Sequence, residues 1–234
     1  EEQKRLFSSG GAVEVRPARR TRAPAWGGQG RARDAGARRG EGCELENFVQ
    51  GESNRLACRA ALEAACSPGV FYNPLFIWGG SGVGKTHLLR GIESAAEAGL
   101  KTRYTNSERF FNHFAASIQD GSIDKFRRLY RSLDLLLIDD IQDLSTKKKT
   151  QVELLHTMDH LVSARRQVVV TSSRGPRDLD ELSPSLRGRF LSGLVARIKP
   201  ADYKMKCKII RHHWIRLGSR RGGGDREARG ELDS

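Results

Sequence analysis

Gly79-Gly80-Ser81-Gly82-Val83-Gly84-Lys85-Thr86 fits the phosphate-loop pattern of glycine, four residues, glycine, lysine, then serine or threonine. The apolar run Leu75-Phe76-Ile77-Trp78 before it reads as a buried strand, and His87-Leu88-Leu89-Arg90 after it opens a helix. A strand-to-helix junction is the context that separates a phosphate cradle from a glycine-rich turn with an incidental lysine. Gly79, Gly80, Gly82 and Gly84 let backbone N–H groups converge on phosphate oxygens, and the helix start adds its partial positive charge. Lys85 is placed to reach β- and γ-phosphates and the Thr86 hydroxyl to ligate Mg²⁺, so ATP with Mg²⁺ is the expected ligand.

Outward from this loop, helical and extended patterns alternate. Upstream, residues 53–66 carry Leu56, Ala60, Leu62 and Ala65 at helical spacing, with Ser53 as N-cap and Ser67-Pro68-Gly69 as the stop. Downstream, the loop helix is expected to run to Ala98 before Gly99, and residues 102–105 to form a short strand. Ser107 then caps a helix through Gln119, with Phe110, Phe111, Phe114 and Ile118 on its apolar side. Asp120-Gly121 breaks that helix, and residues 123–131 form a basic amphipathic one. Residues 149–165 read as a helix, 167–172 and 194–198 as strands, and Asp202 caps a last helix ending at Trp214. Such alternation predicts a three-layer α/β sandwich around a parallel β-sheet.

Within it, Leu133-Asp134-Leu135-Leu136-Leu137-Ile138-Asp139-Asp140 holds four consecutive large aliphatics, the mark of a strand buried on both faces. Ligands of such sheets bind at the carboxyl ends of the strands. There Asp139 is expected to hold Mg²⁺, directly or through water, and Asp140 to orient or deprotonate an attacking water. Without the phosphate loop, the pair would equally be two exposed acids ending a strand. The strand at 167–172 ends in Thr171-Ser172-Ser173, where Ser172 and Ser173 either sense the γ-phosphate or lytic water or simply cap the strand.

Net charge is +13, of which residues 1–43 carry +5 and residues 216–234 +1, leaving +7 on residues 44–215. Basic, Gly- and Ala-rich residues 1–43 are expected to be disordered, as is the tail 215–234 around Gly222-Gly223-Gly224; the folded domain is expected over residues 44–214. A basic surface fits nucleic acid through release of phosphate counterions, and it equally fits the ordinary surface of an Arg-rich proteome. Cys43, Cys58, Cys66 and Cys207 form no CxxC and no zinc-spaced Cys/His pair, which points to reduced thiols and a cytoplasmic protein. No apolar run approaches membrane-spanning length and no signal-peptide pattern is present. A first residue other than Met points to a fragment or the edge of a gene model.

Asn47-Phe48-Val49, Gly51, Ser53-Asn54, the run from Tyr72-Asn73-Pro74 through Leu89, Leu136-Leu137-Ile138-Asp139-Asp140-Ile141-Gln142 and Arg189-Phe190 together resemble the AAA+ domain of the DnaA family of bacterial chromosomal replication initiators. The resemblance covers about residues 45–214. It implies a P-loop NTPase of the AAA+ type: a slow ATPase acting as a nucleotide switch, assembling with ATP on origin DNA to start DNA replication. It also implies that Val49, with Asn47 and Phe48, lies near the adenine, and that Arg189 is an arginine finger contacting the ATP of a neighbouring subunit. Lys149, with Lys147 and Lys148, falls where the family has a basic residue for single-stranded DNA in the central channel; a solvated lysine run is the other reading.

Departures accompany the resemblance. Ser173 stands where many members have aspartate, and Ser185 where they have an arginine four residues before the finger. Residues 215–234 do not resemble the family's helical lid, and no helix-turn-helix DNA-binding domain follows. Alternatives are therefore a DnaA paralogue without a DNA-binding domain, docking Arg189 onto a full-length DnaA, or a helicase-loader-like or transposition-helper ATPase.

Overall fold

The computed structural model describes Leu45 and residues 48–221. The disorder expected for residues 1–43 and 222–234, and the placement of Asn47 and Cys43, lie outside the described residues. Five strands, β1 (Leu75–Trp78), β2 (Thr102–Asn106), β3 (Leu135–Asp139), β4 (Gln167–Ser172) and β5 (Leu194–Arg197), form one sheet of order β2-β3-β4-β1-β5. Every pairing is parallel, with Leu75 opposite Val169 and Leu194, Thr102 opposite Leu135, and Ile138 opposite Val170.

Seven α-helices flank it among the described residues: α1 (Arg55–Cys66), α2 (Lys85–Ala95), α3 (Ser107–Gln119), α4 (Ile123–Arg131), α5 (Lys148–Ser163), α6 (Pro184–Leu191) and α7 (Tyr203–Arg221). Strand alternation divides the core in two. Leu75, Ile77, Leu135, Leu137 and Val169 pack with α1 and α2, while Phe76, Leu136, Ile138, Val168 and Val170 pack with α3 to α6. This is the three-layer sandwich that uninterrupted aliphatic strands imply, because each strand needs cover on both faces.

Several boundaries and faces differ from the sequence reading. The α1 N-cap is Asn54 rather than Ser53. Asn54 accepts from the Gly51 N–H and donates to the Val49 carbonyl, so its amide organises the turn, whereas Ser53 donates its hydroxyl to Met205 Sδ. Leu56 and Leu62 face solvent, and α1 buries its small face of Ala57, Cys58, Ala60, Ala61, Ala64 and Ala65. Alanines admit a close helix-on-helix approach that leucines would prevent. Ile118 is likewise half exposed, lying beyond the aromatic cluster of Phe110, Phe114, Phe126 and Tyr130. Asn106 caps α3, accepting from the Arg109 N–H at 2.9 Å, and Ser107 instead donates its hydroxyl to the Asp139 carbonyl at 3.1 Å. The loop helix ends at Ala95, and α7 continues past Trp214 to Arg221, adding about two helical turns to the stretch expected to be a disordered tail. No proline interrupts it, and the run of three consecutive glycines begins only at Gly222.

Candidate nucleotide-binding site

The phosphate loop spans the end of β1 and the start of α2, its shape fixed by close backbone approaches. Gly79 donates its N–H to the Ser172 carbonyl at 3.1 Å, tying the loop to β4. A Cβ on Gly79 would meet the Ile198 carbonyl oxygen at 2.4 Å, so only glycine fits. Gly84 has φ of +99°, and a Cβ there would also press on the Phe48 ring at 3.1 Å. Lys85 is buried and donates to the carbonyls of Gly79 at 3.0 Å and Gly80 at 2.9 Å, which stretches its ammonium back along the loop.

Asp139 is the hub behind the loop. It is 3 % exposed and both of its carboxylate oxygens are engaged. Oδ2 accepts from the Thr86 hydroxyl at 2.7 Å and the Tyr104 phenol at 3.0 Å, and Oδ1 accepts from the Thr171 hydroxyl. Burial first and the Asp139 charge second push the Tyr104 phenol up to about 12. Asp140 follows at φ 56°, ψ 56°, a left-handed conformation that Asp tolerates better than most residues. Its N–H donates to Thr171 Oγ1 at 3.1 Å, while its carboxylate accepts from Gln142 Nε2 at 3.1 Å. Gln142 in turn accepts from the Ser173 N–H at 3.1 Å. Burial, then the charges of Asp140 and Glu108, raises the neighbouring Asp143 carboxyl above its ordinary range.

Beside the loop opens a cavity of about 530 Å³ whose walls include Phe48, Val49, Gly84, Ile198, Pro200 and Met205. Its apolar walls and loop-lined end suit a planar base attached to phosphates. The two sides come from distant stretches, the segment before α1 and the β5–α7 junction. Thr86 and Asp139 offer the hard oxygen donors that Mg²⁺ takes. No cluster of three or more His, Cys, Asp or Glu side chains able to hold a metal occurs among the described residues, so the donor set fits an ion completed by phosphates and water rather than a protein cage.

The structure thus brings Gly79, Gly80, Gly82, Gly84, Lys85, Thr86, Val49, Asp139 and Asp140 to one end of the sheet. Thr171 and Tyr104 join them without having been singled out from sequence. Ser172 does not point the same way: its hydroxyl accepts from the Arg174 N–H, and the Ser173 contact at Gln142 is made by its backbone. Strand alternation places Thr171 on the α2 face with Val169 and leaves Ser172 with Val168 and Val170.

Arg189 stands on α6 in the opposite helical layer, outside this cavity, and pairs with Asp159 of α5. The three lysines separate: Lys147 lies 4.4 Å from the Phe111 ring centroid, Lys148 Nζ donates to the Glu181 carbonyl at 2.7 Å, and Lys149 is exposed.

A phosphate loop between strand and helix, backed by a buried aspartate at the end of β3 in a five-stranded parallel sheet, defines a P-loop nucleotide-binding domain of the AAA+ class. The profile of the bacterial DnaA ATPase domain matches residues 41–197, and the chain belongs to that family. It is 45 % identical over 169 residues to the chromosomal replication initiator protein DnaA of Corynebacterium aurimucosum, covering 71 % of this chain and 31 % of that protein. Among solved structures, domain III of the Thermotoga maritima replication initiation protein DnaA aligns with a TM-score of 0.70 at 44 % identity, covering 72 % of this chain and 71 % of that one. A replication initiator DnaA bound to AMPPCP and single-stranded DNA aligns with a TM-score of 0.71 at 39 % identity, covering 74 % and 55 %. The chain spans about a third of the length of the curated relatives it matches.

Proposed function

We propose that this chain is the ATP-binding core of a DnaA-like chromosomal replication initiator, a cytoplasmic nucleotide switch that assembles in its ATP form on origin DNA. The observation that carries the reading is the convergence of Lys85, Thr86 and Asp139 beside a base-sized apolar cavity. Lys85 leaves its loop carbonyls for the β- and γ-phosphates, and the α2 N-terminus and loop N–H groups bind the phosphate oxygens. Val49 and Phe48 face the base. Thr86 and Asp139 hold Mg²⁺, which neutralises phosphate charge when bound. Asp140, oriented by Gln142, accepts a proton from the attacking water or aligns it, and Thr171 keeps the two aspartates in register; hydrolysis is slow. Ser172 and Ser173 act through the backbone, holding the loop and Gln142. Arg189 reaches the nucleotide of a neighbouring subunit, and Lys149 with Lys147 and Lys148 meets single-stranded DNA. The last assignment is supported by a relative bound to that ligand.

Equilibrium titration of the chain with ATP and ADP, with and without Mg²⁺, tests the core of this reading. Tight, Mg²⁺-sensitive binding is expected. A folded sample that binds neither nucleotide would overturn it.

A further inference from the structure

Helix α2 grips Asp139 by two routes. One is direct, the Thr86 hydroxyl on Oδ2 at 2.7 Å. The other passes through β2: Tyr104 donates its phenol to the same oxygen at 3.0 Å, and the Arg90 guanidinium covers the Tyr104 ring with its carbon 3.5 Å from the centroid. Arg90 follows Thr86 by four residues, one helical turn, so both side chains leave α2 toward the same place. Arg90 is also braced by Glu93 at 2.8 Å.

We propose that Tyr104 is a positioning residue for the metal site, fixing the Asp139 carboxylate so that Oδ2 faces Thr86, with Arg90 fixing the phenol. The proposal rests on the nucleotide reading and goes beyond it by assigning metal affinity to residues outside both sequence motifs. Satisfying a buried carboxylate does not by itself require Tyr104, since Thr171 already serves Oδ1 and Thr86 serves Oδ2. Thr86, however, is itself a metal ligand in that reading and cannot also be the independent anchor. Orientation of Oδ2 then falls to groups that do not touch the metal, Thr171 from β4 and Tyr104 from β2. Partners of this kind orient metal ligands, and their loss weakens metal affinity by about 10- to 100-fold.

The test titrates Mg²⁺ against the full chain at fixed, subsaturating ATP and follows bound nucleotide, in parallel with an ATP titration in EDTA. Tyr104→Phe keeps the ring under Arg90 and removes only the hydroxyl. Its Mg²⁺ midpoint should rise about tenfold, while nucleotide affinity in EDTA stays at the unsubstituted value. A merely structural role would weaken nucleotide binding with and without Mg²⁺ alike, and that result overturns the proposal. So does an unchanged midpoint. Should Tyr104→Phe fail to fold, Arg90→Met carries the same test, with a midpoint shift of about threefold expected from loss of the ring contact; no shift overturns the proposal. If the unsubstituted chain binds no nucleotide, the functional reading itself has failed, whereas Mg²⁺-dependent binding in that chain with no response in either variant removes Tyr104 alone.

Discussion

Arg189 donates both its Nε and its Nη2 hydrogens to a single oxygen, Asp159 Oδ1, so α6 is latched to α5 through the side chain proposed to reach a neighbouring subunit. Both partners keep contact with solvent, at 28 % and 42 % exposure. Such a pair is worth about 1 kcal/mol or less, weak enough to open when a better anion is offered.

Releasing Arg189 should therefore favour assembly. Asp159→Asn is expected to lower the protein concentration needed for ATP-dependent association by up to about fivefold. Arg189→Ala should abolish that association while leaving ATP affinity unchanged. Sedimentation velocity with ATP reads both effects, and normal assembly of Arg189→Ala would count against the finger.

Lys85→Ala removes the ammonium now held by the carbonyls of Gly79 and Gly80. Charge-assisted hydrogen bonds to phosphate are worth roughly 1.5 to 3 kcal/mol each. An ATP affinity loss of about 100-fold is expected by equilibrium titration. Unchanged affinity would sink the phosphate-loop assignment.

Thr171 serves two buried groups with one hydroxyl, donating to Asp139 Oδ1 and accepting from the Asp140 N–H. Thr171→Val keeps the shape and strands both partners. Unfolding in urea should show a loss of about 2 kcal/mol, and Asp140 should become inefficient in ATP turnover. Thr171→Ser, which keeps the hydroxyl, should recover most of the turnover.

Glu153 accepts from Arg127 at 2.8 Å and Arg131 at 3.1 Å while almost fully buried. Burial alone would raise its carboxyl, but the Arg127 and Arg131 bonds and charges outweigh it and hold the group below the ordinary 4.5. The folded value lies below the unfolded one, so this stabilisation is complete above pH of about 4.5 and fades as pH falls through the lowered value. Glu153→Gln should cost about 2 kcal/mol at pH 7, with a shallower loss below pH of about 4.5 than the unsubstituted chain shows. Urea unfolding from pH 7 to 3 measures both.

The sheet was readable because its central strands are uninterrupted aliphatics, and the phosphate loop because its glycines, lysine and threonine are adjacent in sequence. Side-chain direction was less so. A strand buried on both faces carries no polar alternation, so nothing in Val168-Val169-Val170-Thr171-Ser172 told which hydroxyl faces α2. Register supplied the answer, by setting Thr171 beyond Val170, the partner of Ile138, and so beside Asp139. In α1 the leucines misled: hydrophobicity favours Leu56 and Leu62 as the buried side, while close packing on α2 selects the alanines. Tyr104 was invisible for a further reason, since its role depends on β2 lying beside β3 and on Arg90 reaching over from another element.

The strand order has a consequence for how the chain is made. β1, which carries the phosphate loop, pairs only with β4 and β5, both of which follow it in the chain. A nascent chain leaving the ribosome therefore exposes residues 75–86 with no lateral partner until the sequence through Ser172 has emerged. β2 and β3, neighbours in both sequence and sheet, are free to pair earlier. The nucleotide pocket is thus a late product of synthesis: β4 inserts between two waiting strands, the wall formed by Ile198, Pro200 and Met205 follows only after β5, and until then the apolar stretch Leu75-Phe76-Ile77-Trp78 is an unpaired edge open to aggregation.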